Sequence, residues 1–215
     1  MKKTIVFLFA IIAGFTLSAQ TSKAKVGLVT GVTVSNMNGT VGGVDVDYKS
    51  TTGFTVGMVV DAPFKKGHFS FQPGLHYTQK GAQTFDVKNQ EDFISLRYAD
   101  LNLNLVYNTH GDKGGNFYFG AGPQLGANLP SKKVTVFLPS ETETETNISF
   151  GNEPASDFRG IDWGGNIIAG YTLKCGATFA INYNFGLRNL VPDARSPKDE
   201  LKNGQLGIRV GYFFK

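Results

Sequence analysis

The chain has 215 residues and a formal net charge of +4, with 41% hydrophobic and 18% charged side chains. That length suits one domain or a modest pair, and a mild basicity gathered at the ends and in turns excludes a nucleic-acid patch. The single cysteine, Cys175, excludes an internal disulfide and a CxxC metal pair.

Residues 1–19 read as a Sec signal peptide: MKK is the positive n-region, Thr4 to Leu17 the apolar h-region, and Leu17-Ser18-Ala19 the cleavage site before Gln20. No cysteine stands near the cut, which argues against a lipoprotein. Residues 20–215 then form the mature domain. Beyond Ala19 there is no run of about eighteen apolar residues, so a mature chain that crosses a membrane must cross as a closed β-barrel. A mean hydropathy of −0.12 does not oppose this, because alternating faces cancel in the average.

Eight segments of period-two alternation follow in chain order, each the mark of a strand with two unlike faces. Lys25–Met37 sets Val26, Leu28, Val32 and Val34 against Gly27, Gly31 and Ser35. Thr52–Ala62 sets Phe54, Val56, Met58 and Val60 against Thr55, Gly57 and Asp61, softened by Val59. Phe69–Lys80 sets Phe69, Phe71, Pro73, Leu75 and Tyr77 against Gln72, Gly74, His76, Thr78 and Lys80. In Phe93–Tyr107 the apolar parity changes midway, from Ile94, Leu96 and Tyr98 to Leu101, Leu103, Leu105 and Tyr107. A one-residue β-bulge near Ala99-Asp100 would keep both sets on one outward face. Phe117–Leu129 is the clearest segment: every second residue from Phe117 is apolar, and those between are small or polar. Ile161–Leu173, Thr178–Arg188 and Gly204–Phe214 complete the set.

The connections alternate in length. Short ones follow the second, fourth and sixth segments, and long ones follow the first, third, fifth and seventh, the longest being Pro130 to Gly160. Short turns on one rim and long loops on the other is the up-and-down outer-membrane pattern. The expected fold is therefore all-β: a single eight-stranded antiparallel up-and-down transmembrane β-barrel. Phe69, Tyr77, Tyr107, Phe117, Trp163, Tyr171, Tyr212 and Phe214 fit two interfacial aromatic girdles. The competing reading is a soluble barrel of calycin type with its apolar faces turned inward. Its water face would then carry many glycines and few lysines or glutamates, which a small polar lumen explains better.

Several stretches resemble the PorT-like outer-membrane β-barrel family of Gram-negative bacteria. They are Gln72-Pro-Gly-Leu-His-Tyr77 with Lys80-Gly81, Leu96-Arg-Tyr-Ala-Asp-Leu101, Phe117-Tyr-Phe-Gly-Ala-Gly-Pro123, Asp162-Trp-Gly-Gly165, Asn182-Tyr-Asn-Phe-Gly-Leu187 and Gly211-Tyr-Phe-Phe214. The chain departs from the family pattern at Asn102 and at Asn184-Phe185. The resemblance implies outer-membrane residence, contact with outer-membrane lipids, and a link to the support of a protein secretion system. Architecture is a weak guide to activity in such families.

Asp61, Lys80, Asp100, Asp162, Arg188 and Arg209 are placed on inward faces, with Arg97 beside the expected bulge and its side open. Unpaired charge in a narrow lumen is costly, so these residues read as a structural network of opposite signs, with a gated ion path as the sharper alternative. His68 and His110 fall in short turns and His76 in the lumen, so no Ser-His-acid set lies on the lipid face, and no catalytic residue is assigned. Asp45-Val-Asp47 and the run Glu141, Glu143, Glu145 lack the spacing of a calcium loop. No metal or cofactor is expected. The partners expected are membrane lipids and proteins of a secretion machinery or the cell surface, with the barrel itself a monomer. Function divides between a non-enzymatic accessory or surface protein, a narrow diffusion channel and, remotely, a lipid-modifying enzyme.

Overall fold

The computed structural model describes residues 24–64, 67–84, 90–109, 115–137, 140, 142–193, 196 and 198–214. The signal-peptide reading, His110 and Glu141 lie outside these residues.

Among the described residues there are ten strands: β1 (Lys25–Val41), β2 (Val44–Asp47), β3 (Thr51–Pro63), β4 (Phe69–Gln83), β5 (Gln90–Asn108), β6 (Gly115–Phe137), β7 (Thr142–Asn147), β8 (Ile161–Leu173), β9 (Ala177–Gly186) and β10 (Glu200–Phe213). Eight of them, β1, β3, β4, β5, β6, β8, β9 and β10, form an antiparallel ring that β1 and β10 close, from Gly27↔Phe213 to Thr40↔Glu200. Closure removes the sheet edge, which lets the backbone satisfy itself in lipid. β2 and β7 are additions at the long-loop rim. β2 folds back on β1, and β7 folds back on the upper part of β6.

The alternation sets the two faces. Outward residues are apolar and uncovered, as at Val32 (63% exposed), Ile181 (56%) and Ile208 (55%). A continuous apolar exterior of this kind needs lipid. Aromatic pairs mark its borders. Phe69–Tyr107, Phe117–Tyr171 and Tyr212–Phe214 lie toward the short turns, with ring centroids 5.3, 4.6 and 5.4 Å apart. Phe54–Tyr77, at 5.5 Å, and the exposed Trp163 lie toward the long loops.

One expectation is corrected. β4 and β5 pair without a break from Phe69↔Tyr107 to Gln83↔Phe93, so there is no bulge at Ala99-Asp100 in that ladder. The register shift falls between Ser95 and Arg97, against β6. Leu96 and Tyr98 therefore share the inner face with Asp100 and Asn102, and both are fully buried. The reason is the change of solvent along the strand. Within the bilayer the oily side meets lipid, but above it the outside meets water and the inside must be plugged. The apolar residues accordingly switch faces where β5 leaves the membrane. Met37 on β1, Ala82 on β4 and Leu201 on β10 turn inward at the same end. Arg97 alternates with Leu96 and Tyr98 and thus points outward.

Candidate functional site

The lumen is filled in layers. Toward the short turns, Val106, Tyr118, Ile168 and Ala180 pack together, beside Val29, Val59 and Phe213. Toward the long loops, Met37, Ala82, Leu96 and Tyr98 form a second apolar layer, backed by Ile94, Tyr48 and the loop residues Ile148, Phe150 and Phe158. The charged and amide side chains lie between these two seals.

Lys80 projects from β4 into the middle. Its Nζ lies 3.3 Å from Asp100 on the adjacent β5 and 3.7 Å from Asp162 on β8, and sits over the Tyr98 ring at 4.5 Å from the centroid. Asn203 on β10 donates to Asp162 Oδ2 (3.0 Å) and to the Tyr98 hydroxyl (3.2 Å). Gly126 on β6 leaves room here: a Cβ there would run into Asp100 and Tyr98.

Arg209, buried on β10, donates through Nη1 to His76 Nε2 at 3.3 Å. Arginine is always a donor, so Nε2 must accept and the imidazole proton is on Nδ1. The Asn102 side chain lies 3.5 Å from Nδ1. Its amide is best oriented with Oδ1 toward that proton, which gives a partner to an oxygen that otherwise has none among the described residues. Gly74 opens the space for this ring, since a Cβ at that position would meet Cε1. Around these groups runs an amide ladder: Asn166 to Asn104 (2.8 Å), Asn182 to Asn184 (3.2 Å) and Asn184 to Gln205 (3.1 Å).

The four charges of this middle layer, Lys80, Arg209, Asp100 and Asp162, sum to zero, and each is buried. Two other residues assigned to the same network stand apart. Asp61 lies near the short-turn mouth, where Gln72 donates to it at 3.4 Å. Arg188 follows the end of β9, partly exposed at the long-loop rim, its backbone N–H bonded to the Trp163 carbonyl. β9 stops at Gly186, so Arg188 is no longer held on an inward face. Tyr98 and Asn203 belong to the cluster although sequence reasoning missed them. Tyr98 was assigned to the lipid face, and Asn203 precedes the expected start of the last strand. The signal that could have found Asn203 is parity, because it stands two residues before Gln205 on the polar face.

At the long-loop rim the sheet continues past the barrel. β6 carries β5 on one side and β7 on the other, and β7 is bound to it from Lys132↔Asn147 to Phe137↔Thr142. A Lys132–Glu145 ion pair reinforces this hairpin, and a Lys133–Asp92 pair ties β6 to β5 beside it. Opposite, β10, β1 and β2 make a second raised sheet.

A closed eight-stranded ring with a lipid-compatible exterior and a charge-paired, plugged interior defines an outer-membrane β-barrel protein. The chain belongs to the outer membrane protein beta-barrel domain family, whose model matches residues 18–191. No curated protein sequence matches it. Among solved structures it is similar to the outer membrane protein OprG from Pseudomonas aeruginosa, with 11% identity, 90% of this chain and 97% of that one covered, and a TM-score of 0.51. It is also similar to Ail, the attachment invasion locus protein of Yersinia pestis (12% identity, 89% and 99% covered, TM-score 0.43), and to the outer membrane enzyme PagL (13%, 82% and 97%, 0.38). At such identities the likeness is one of fold. The protein resides in the outer membrane, with the short turns toward the periplasm and the long loops outside.

Proposed function

We propose that this protein is a non-enzymatic, closed barrel that acts through its extracellular rim as a surface interaction protein. The carrying observation is a sealed interior beneath a folded rim. Apolar layers cap both ends of a charge-balanced lumen, while β5–β6–β7 and β10–β1–β2 rise above it as hydrogen-bonded sheets. An eight-stranded barrel is just wide enough for side chains to fill, which speaks against a diffusion path. A lipid-modifying enzyme needs a nucleophile and base at the membrane edge. Here the His76 ring is engaged inside the lumen by Arg209 and Asn102. Resemblance to the PorT-like family adds a more specific version, in which either rim serves a secretion machinery.

The first test is the secreted and surface proteome of a strain lacking the protein. Secreted cargo that collapses, with precursors held in the periplasm, supports the secretion version. An unchanged proteome, with partner capture lost when the β6–β7 hairpin is shortened, supports the surface version. Steady conductance in planar bilayers, altered by Arg209→Ala or Asp162→Ala, would overturn the closed-barrel reading.

A further inference from the structure

Above the seal formed by Leu96 and Met37, the extracellular connections border an open cavity of about 300 Å3. Besides Val41 at the end of β1, its apolar wall draws on five separate segments. Tyr48 follows β2, Ile94 stands on β5, Ile148 and Phe158 come from the connection after β7, Val191 follows β9, and Leu201 stands at the start of β10. We propose that this vestibule is a binding site for a small, uncharged, planar aromatic molecule.

Three observations carry the assignment. The volume falls at the lower end of the small-molecule range, and the wall sets seven apolar or aromatic residues beside six polar ones, so apolar surface and hydrogen-bonding groups meet in one site. Tyr48 and Phe158 both line the cavity and are only partly buried, which places aromatic side chains where an aromatic ligand can meet them. Finally, the ionic groups at the wall are already engaged. Lys133 pairs with Asp92 at 2.7 Å, Asp199 accepts from the Gly42 N–H at 2.8 Å, and Asp157 accepts from the Ser149 N–H at 2.9 Å. An anionic ligand would have to break the Lys133–Asp92 pair or lie beside the Asp157 and Asp199 carboxylates without a counter-ion, whereas a neutral one needs no counter-charge. Asn147 and Thr146 supply neutral polar groups for its edge.

The cavity is also preformed. The Ile148 N–H donates to the Ser131 carbonyl (3.0 Å), Gly151 N–H to the Phe158 carbonyl (2.9 Å), and Arg159 Nε to the Val191 carbonyl (3.0 Å). The Leu201 N–H is held by Asn189 Oδ1 at 3.0 Å. Walls fixed in this way spare a ligand the ordering cost of closing loops around it. The proposal goes beyond surface interaction, since it holds whether or not a protein partner binds the same rim.

The test is a titration of indole into the protein in lipid nanodiscs, followed by NMR of labelled Ile, Leu and Val methyl groups. The expected result is saturable shifts at Ile94, Ile148, Val191 and Leu201, with the lipid-facing Ile181 and Ile208 responding only in proportion to indole dissolved in the bilayer. Filling the cavity by Val191→Trp should weaken the saturable phase by about ten-fold or more. Ile148→Trp fills the same space from another segment and serves if the first variant does not fold, and benzoate should bind about ten-fold or more weakly than indole. Linear shifts at every methyl, saturation unchanged in the filled variants, or benzoate equal to indole would each overturn the proposal.

Discussion

Lys80→Met tests the lumen network most directly. The substitution keeps the length of the stem and removes the ammonium that faces Asp100 at 3.3 Å and Asp162 at 3.7 Å. With an effective dielectric constant of about 20, those contacts are worth about 5 and about 4.5 kcal/mol before desolvation. Burial of three ions offsets much of that gain, and the loss of one member of a buried pair costs about 3–5 kcal/mol net. The interior charge would fall from zero to −1, with two carboxylates facing each other's field and only Arg209 to compensate. The assay is urea-induced unfolding from lipid vesicles, read by Trp163 fluorescence and by heat-modifiable migration on gels. Lys80→Met should lose about 3–5 kcal/mol, and Lys80→Met/Asp162→Asn, which restores neutrality, should recover at least half of that loss. A single variant within about 0.5 kcal/mol of the wild type, or a double variant whose losses simply add, would refute the claim that the cluster is held together by charge balance.

Four further outcomes follow from the same geometry. Ile208→Arg, on the lipid face at mid-height, should cost about 2–4 kcal/mol in the same unfolding assay, while Ile208→Leu should be nearly neutral. Leu96→Ala should cost about 2–5 kcal/mol because Leu96 is wholly buried in the upper seal; the lipid-facing position assigned from parity predicts a much smaller loss. Gly74→Val, which drives a side chain into the His76 ring, should destabilise by about 1–3 kcal/mol or block folding, as measured by the folded fraction on unheated gels. Trp163, 47% exposed on the outer surface, should be quenched strongly by lipids brominated near the headgroup and weakly by those brominated at the chain end.

The eight barrel strands were legible because lipid and lumen impose opposite chemistry on alternate residues, and each expected segment overlies an observed strand, although Thr178–Arg188 runs two residues past the end of β9. β7 was not legible. Its sequence, Thr-Glu-Thr-Glu-Thr-Asn, alternates two polar types and is exposed throughout, so no buried face writes a hydrophobic pattern into it. β2, four residues long, gives too short a pattern. No single rule relates parity to solvent along the whole of β5. Ile94, Leu96 and Tyr98 are oily because they seal the lumen, and Leu101, Leu103 and Leu105 because they face lipid; a period of two separates the faces without saying which solvent each one meets. Among the charges, Lys80, Asp100, Asp162 and Arg209 could be placed from alternation alone. Arg188 could not, because its position depends on where β9 stops. The pairing of Arg209 with His76 joins residues 133 apart in sequence, a distance that no local pattern reports.

The seam between β1 and β10 ties the charge balance to the closing of the ring. Without β10, the other strands carry Lys80, Asp100 and Asp162 into the middle of the lumen, one negative charge in excess. β10 brings Arg209 to His76, Asn203 to Asp162 and Tyr98, and Gln205 to Asn184. The strand that completes the ring thus also supplies its missing cation and several amide donors. A sheet without β10 is electrically unbalanced as well as open, so closure of the backbone ring and neutralisation of its interior depend on the same strand.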